Sequence, residues 1–247
     1  MTDSDTQRIA AMREGGKRLG VVKHSLEEFT QIGMSFEEIE AEAQRLIAEA
    51  GAVPNFSLVP GYHWATCIMR NDELCHGIPK GKTVRDSDVV TIDVGLLHEG
   101  FNLDTTTTFI VGSADKTTAS FVARGREILD AAIFQAVLGN SVYDISKEME
   151  RGLNRYDYGV VYQLTGHGIG TQLHMEPSVP VFADSSSKKH KLFLGQTLAI
   201  EVMYTAGSPE LVEDSDGWTY RTKDGSLSGM FEETVLVTKD GPEVLTK

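Results

Sequence analysis

The residues best equipped for chemistry are acids placed where acids are rarely tolerated. Segment 89–111 reads as two β-branched, apolar runs joined by the polar turn His98-Glu99-Gly100, a hairpin signal. A turn centred near His98-Glu99 sets Asp93 opposite Asp104 across the ladder, and a shift of a residue or two leaves them neighbours. Like charges facing each other on adjacent strands repel, and burial raises the penalty. The pair asks for a cation.

Other acids pose the same problem. Glu201 stands between Ile200 and Val202 in an apolar run with no Lys or Arg. Glutamate is depleted in strands and rarely buried without a partner; the alternative is a solvent-facing place on an edge strand. Glu232 and Glu233 head a further apolar run and point to opposite faces of it, so at most one joins a shared site. His167 is flanked by Gly166, Gly168 and Gly170, which let backbone approach whatever the imidazole binds. The spacing is not that of a dinucleotide fingerprint, and a lone histidine there is usually a hydrogen-bonded core residue. Taken together, Asp93, Asp104, His167, Glu201 and one of Glu232 or Glu233 form an oxygen-rich set suited to two hard or borderline divalent ions. One metal site accounts for all five more simply than five separate explanations.

The elements that must position these groups follow from periodicity. Ile9, Met12, Leu19, Val22, Leu26 and Phe29 mark a helix over about 7–30. Ser35 with Glu38 forms a capping box for a second helix that stops at Gly51, and 54–70 is irregular or strand-like. After the hairpin, a helix over about 117–138 ends at Gly139-Asn140, and Ser141 caps another over 142–154. Strand-like runs at 160–165, 197–204 and 230–237 complete the chain. Two similar helix-helix-strand halves imply an α+β fold, an antiparallel sheet with helices on one face. Residues 1–6 read as a polar tail and 7–247 as a single domain. Asp184 with its serines and segment 210–216 read as loops, and His24, His63, His98 and His190 as surface or turn residues.

Composition narrows the class. The 247 residues are 40% hydrophobic, enough for a real core. No apolar run reaches about 18 residues, so no membrane span is expected, and the acidic start lacks the order of a signal peptide. Cys67 and Cys75 have neither zinc-finger nor redox-motif spacing and read as free thiols of a reducing cytosol, which implies a cytoplasmic protein. A net charge of −13 argues against nucleic acid; the basic run Lys188-Lys189-His190-Lys191 reads as a solvated loop.

Beyond these readings, the chain resembles the type I methionine aminopeptidases, of the pita-bread metallopeptidase fold, from about residue 7 onward. The resemblance rests on Cys75-His76-Gly77-Ile78-Pro79, Ile92-Asp93-Val94, Asp104-Thr105, Gly166-His167-Gly168-Ile169-Gly170, His174-Met175-Glu176-Pro177, Ile200-Glu201 and Phe231-Glu232-Glu233-Thr234. It implies a pita-bread fold with pseudo-two-fold halves and five ligands to a metal pair, Asp93, Asp104, His167, Glu201 and Glu232, the glutamate directly after the aromatic residue being the ligand. Glu232 and Asp104 match the bridging carboxylates. His76 and His174 match two histidines that face the substrate, and Glu201 a ligand that also shuttles a proton. Trp218, Tyr62, Cys67, Leu173 and Phe56 match positions lining the methionine pocket. Asn71 and Ser228 fall where the family holds a monovalent cation. The implied activity is removal of the N-terminal methionine from new proteins and peptides, by a monomer using two divalent ions among Co, Mn, Fe, Zn or Ni.

Departures are specific. Val202 stands where the family has proline, segment 61–67 lacks a proline found in relatives, and the pocket near Phe56 and Leu173 differs from some members. A zinc-binding N-terminal extension of the eukaryotic kind is not expected. The competing readings are an Xaa-Pro or dipeptide peptidase of the same fold, which generally has an extra N-terminal domain, and a non-catalytic pita-bread binding protein, which usually loses ligands.

Overall fold

The computed structural model describes residues 3–247, with side chains from residue 5 onward. Helices α1 (Asp3–Phe29) and α2 (Phe36–Glu49) precede strands β1 (Val53–Pro54), β2 (Thr66–Arg70), β3 (Glu73–Cys75), β4 (Val89–His98) and β5 (Phe101–Ile110). Helices α3 (Lys116–Ile133) and α4 (Val142–Arg155) then precede β6 (Gly159–Val160), β7 (Thr165–Gly168), β8 (Met175–Pro180), β9 (Thr197–Thr205), β10 (Leu211–Glu213), β11 (Tyr220–Thr222), β12 (Ser228–Thr238) and β13 (Gly241–Val244).

The chemistry of the ends explains the helices. Ser35 N–H donates to the Glu38 carboxylate (2.8 Å) and Glu38 N–H to the Ser35 hydroxyl (3.3 Å), the expected capping box. Ser141 and Asp144 form a second one at α4. Two boundaries differ from the periodicity. Helix α1 is already under way at Asp3, so of the expected tail residues 3–6 are helical, and residues 1–2 lie outside the described residues. Helix α3 stops at Ile133 rather than near Leu138, because the amides of Gln135 and Ala136 donate three residues back and tighten the last turn.

Among the described residues the main sheet has ten strands, every pair antiparallel, in the order β1-β4-β5-β12-β9-β7-β8, with β2 on β4, β6 on β9 and β13 on β12. A second, small sheet runs β10-β11-β3, so the 210–216 segment is partly a paired strand, not all loop. Helix α1 packs over β4 and β5, and α3 over β9 and β12, on the same face of the sheet. Each half has its own apolar core: Met12, Leu19, Ile39, Ile92 and Leu96 in the first, Phe121, Leu129, Met149, Ile200 and Met203 in the second. The halves join where β5 pairs with β12 at the middle of the sheet. This is the pita-bread arrangement.

The hairpin turns one residue later than expected. His98 pairs with Phe101, leaving Glu99 and Gly100 as a two-residue turn with φ of 49° and 84°, the left-handed pair that matches strand twist. Asp93 therefore faces Thr106, and Asp104 faces Gly95. The two acids are diagonal neighbours on one face, not direct partners. His98 is also buried at the end of β4, not a surface turn residue.

Candidate metal centre and its pocket

The register sets the site out as two rows on the face opposite the helices. One row crosses five strands: Cys67 (β2), Asp93 (β4), Thr106 (β5), Glu232 (β12) and Glu201 (β9) are successive cross-strand partners. Two residues along lie Asp104 on β5 and, beside Ala199, His167 on β7. A row of side chains projecting one way is what period-two alternation provides. It also separates the twin glutamates: Glu232 joins the site, while Glu233 turns to the helices. There Glu233 accepts from Lys23 Nζ at 2.8 Å, Arg126 at 2.7 Å and the Thr246 hydroxyl at 2.5 Å.

Ligand atoms of Asp104, His167 and Glu232 lie within 4.8 Å of one another, and Asp93 and Glu201 line the same cavity of about 220 Å³. All four acids are buried, at 3–8% exposure, and among the described residues no Lys or Arg forms an ion pair with any of them. Asp104 Oδ1 and Glu232 Oε1 have no hydrogen-bond partner. Buried orphan oxygens are costly, and a divalent cation satisfies such oxygens. His167 fits as well: its Nδ1–H donates to the Gly168 carbonyl at 2.9 Å, which turns Nε2, with its lone pair, outward. The residues present suit divalent metal.

Electrostatics agree. Burial lifts the Asp93 carboxyl to about 7. Burial, with the charge of Asp93, lifts Glu201 to about 8. Asp104 and Glu232 are pushed well above the carboxylate range by burial and by their acidic neighbours. Burial lowers His167 to about 4, with neighbouring His174 adding to the effect. Without a cation the acids hold protons, and the imidazole is neutral, the form that ligates.

Beside the acids the cavity is apolar. Phe56, Val59, Tyr62, Cys75, Leu173, Trp218 and Met230 line it with His76 and His174. Tyr62 meets Trp218 edge-on with centroids 5.0 Å apart, and its hydroxyl donates to the Thr66 carbonyl at 2.8 Å. Trp218 is held by Asp216, whose carboxylate accepts from the Trp218 and Thr219 amides at 2.8 Å each. His76 sits in a left-handed conformation, φ 55°, a strain that positions its ring. His174 packs edge-on to His167 at 4.5 Å. Burial lowers both His76 and His174 below the usual imidazole value, so both are neutral at pH 7.

One expected wall residue is displaced. Cys67 stays in the row as the cross-strand partner of Asp93; the thiol among the cavity's lining residues is Cys75. Val59, Cys75 and Met230 were not read as pocket residues from the sequence. Cys75 adjoins His76 in the same motif, and that adjacency was the available signal. Asn71 and Ser228 do meet: the Asn71 carbonyl accepts from the Ser228 amide at 2.8 Å and hydroxyl at 3.0 Å.

Residues 10–239 match the metallopeptidase family M24. The chain is 36% identical to a methionine aminopeptidase of Aquifex aeolicus, covering 98% of this chain and 96% of that one, and 35% identical to one from Clostridium perfringens, covering 96% and 95%. A crystal structure of methionine aminopeptidase from Thermotoga maritima superposes with a TM-score of 0.95 at 32% identity, covering 100% of this chain and 98% of that one. Prolidase from Pyrococcus furiosus shares the fold at 22% identity and a TM-score of 0.79, this chain spanning 64% of it. On the family match and on relatives of this identity over nearly the full length of both chains, the chain belongs to metallopeptidase family M24 and, within it, to the methionine aminopeptidases.

Proposed function

We propose that the protein removes the N-terminal methionine from peptides and newly made proteins, using divalent ions held by Asp93, Asp104, His167, Glu201 and Glu232. The observation that carries this is the pair of orphan buried oxygens, Asp104 Oδ1 and Glu232 Oε1, facing a cavity walled by Tyr62, Trp218 and Phe56. Bound ions would supply Lewis acidity and a water whose pKa lies near neutrality. Two ions per chain would suit four carboxylates and one imidazole, with Asp93, Asp104, His167, Glu201 and Glu232 as the residues that would hold them, and Co, Mn, Fe, Zn and Ni all accept that donor set. A monovalent cation belongs, in this reading, at the Asn71–Ser228 junction.

The chain's own groups do the rest. The apolar wall takes the flexible thioether side chain of methionine, for which aromatic contact is favourable. The acids attract the substrate's free α-amine, which confines cleavage to one residue. Neutral His174 donates to the carbonyl oxygen as negative charge develops there, and His76 hydrogen-bonds the scissile amide. Glu201 carries the proton from the attacking water to the leaving amine. All five ligands come from one chain, which supports a monomer, and two buried free thiols support a reducing, cytoplasmic setting. No described helix is long and apolar enough to cross a membrane.

Asp104→Ala and His167→Ala should each lose bound metal and turnover of Met-Ala-Ser together. Full activity in either variant overturns the ligand assignment. Faster cleavage of an Xaa-Pro peptide than of Met-Ala-Ser would instead favour the prolidase-like reading.

A further inference from the structure

The row across the sheet contains a hydroxyl, flanked on both sides by acids, that the metal assignment does not use. Thr106 lies between Asp93 on one neighbouring strand and Glu232 on the other, as the direct cross-strand partner of both. Its hydroxyl is 2.9 Å from Asp93 Oδ1 and 2.9 Å from Glu232 Oε2. The residue is fully buried, so water does not compete for these contacts. We propose that Thr106 is a positioning residue for the metal centre: one hydroxyl fixes one oxygen of each flanking acid and so turns the other oxygen of Glu232 toward the cavity.

The oxygens themselves carry the argument. Glu232 has two; Oε2 is taken by Thr106, and Oε1 is the one left without a partner. A glutamate has three side-chain torsions, and on a strand nothing in the backbone selects which oxygen faces outward. A β-branched residue is stiff at χ1, so a hydroxyl on threonine is held by its own methyl where serine's would rotate more freely. A hydroxyl has one proton and two lone pairs. It donates one hydrogen bond and can accept another, so a single hydroxyl reaches both flanking carboxyl groups, each 2.9 Å away.

Neighbouring β5 hydroxyls show the contact is specific to this position. Thr105 points to the helix face and bonds the Glu232 carbonyl and the Glu233 carboxylate. Thr108, one step along on the site face, bonds Thr91 and the Met230 carbonyl and touches no acid. Thr108 is therefore the control for a buried hydroxyl that supports the sheet alone.

The inference rests on the metal assignment above, and calorimetric titration of metal-free protein with Mn²⁺ separates the two. Thr106→Val keeps the shape and removes the hydroxyl; loss of such supporting contacts weakens metal binding by about 10–100-fold. Thr106→Ser restores the hydroxyl and should return affinity most of the way, while Thr108→Val should lower the melting temperature and leave Mn²⁺ affinity unchanged. If Thr106→Val does not fold, Thr106→Ala gives the same comparison with the serine variant. Mn²⁺ binding by wild type and by the hydroxyl-free variant with equal affinity overturns the role of Thr106 while leaving the metal centre intact. Absence of Mn²⁺ binding by wild type overturns both.

Discussion

The acids in the centre are all pushed toward their protonated forms by burial, and the protons they hold make the cost measurable. In metal-free protein Asp93 is raised to about 7 and Glu201 to about 8, both chiefly by burial. A group raised in the folded state binds protons more tightly there than in the unfolded chain, so stability is full below the unfolded value and falls as pH rises toward 7–8. A divalent ion replaces those protons and removes the penalty. The gain in melting temperature on adding Mn²⁺ should therefore be larger at about pH 8 than at about pH 5.5, where protons compete for the same oxygens. Equal gains at both values, measured by calorimetry, would mean that these acids do not hold the ion. At this scale the sequence was informative wherever a residue type was out of place. Asp93, Asp104 and Glu201 stood out as acids in apolar runs. Glu232 and Glu233 could be separated only by resemblance until the opposite face showed Lys23 and Arg126 around Glu233. Cys75 gave no such signal, because a small apolar residue is expected in any core.

Among the elements, the hairpin is the one on which the site depends most directly. Its turn places Glu99 and Gly100 in left-handed conformations, which glycine accepts and a residue with a Cβ resists. A Cβ at Gly100 would meet nothing within 4 Å, so Gly100→Ala isolates the conformational cost, about 1 kcal/mol. Urea unfolding should show that loss with an unchanged slope; no loss would argue for a different turn. The turn was legible as a hairpin but not to the residue, since His98-Glu99 and Glu99-Gly100 are both polar pairs. The one-position difference moved the register by two, and a shift of two keeps every side chain on its face. That is why the acids still share one face and one cavity although their direct partners differ from those expected. The end of α3 was less legible, because Ala136, Val137 and Leu138 continue the apolar pattern after the hydrogen bonding has tightened.

Over the whole molecule the balance of charge matters. A net charge of −13 and a cavity floored by carboxylates favour the approach of a protonated α-amine, and such long-range attraction is screened by salt. Turnover of a peptide with a net positive charge should show kcat/KM falling several-fold between about 0.01 and 0.5 M salt. A peptide of negative charge should show the opposite trend, and identical salt profiles for the two would exclude steering. The antiparallel sheet with two helix pairs was readable from the order of periodic segments, whereas the small β10-β11-β3 sheet was not. Its strands are three residues each, too short for alternation to register.

The seam between the halves has a further consequence. Asp93 and Asp104 come from the first half, His167, Glu201 and Glu232 from the second, and the β5–β12 pairing within the main sheet brings them together. Neither half alone presents a chelating set, so bound ions would lock the seam against separation.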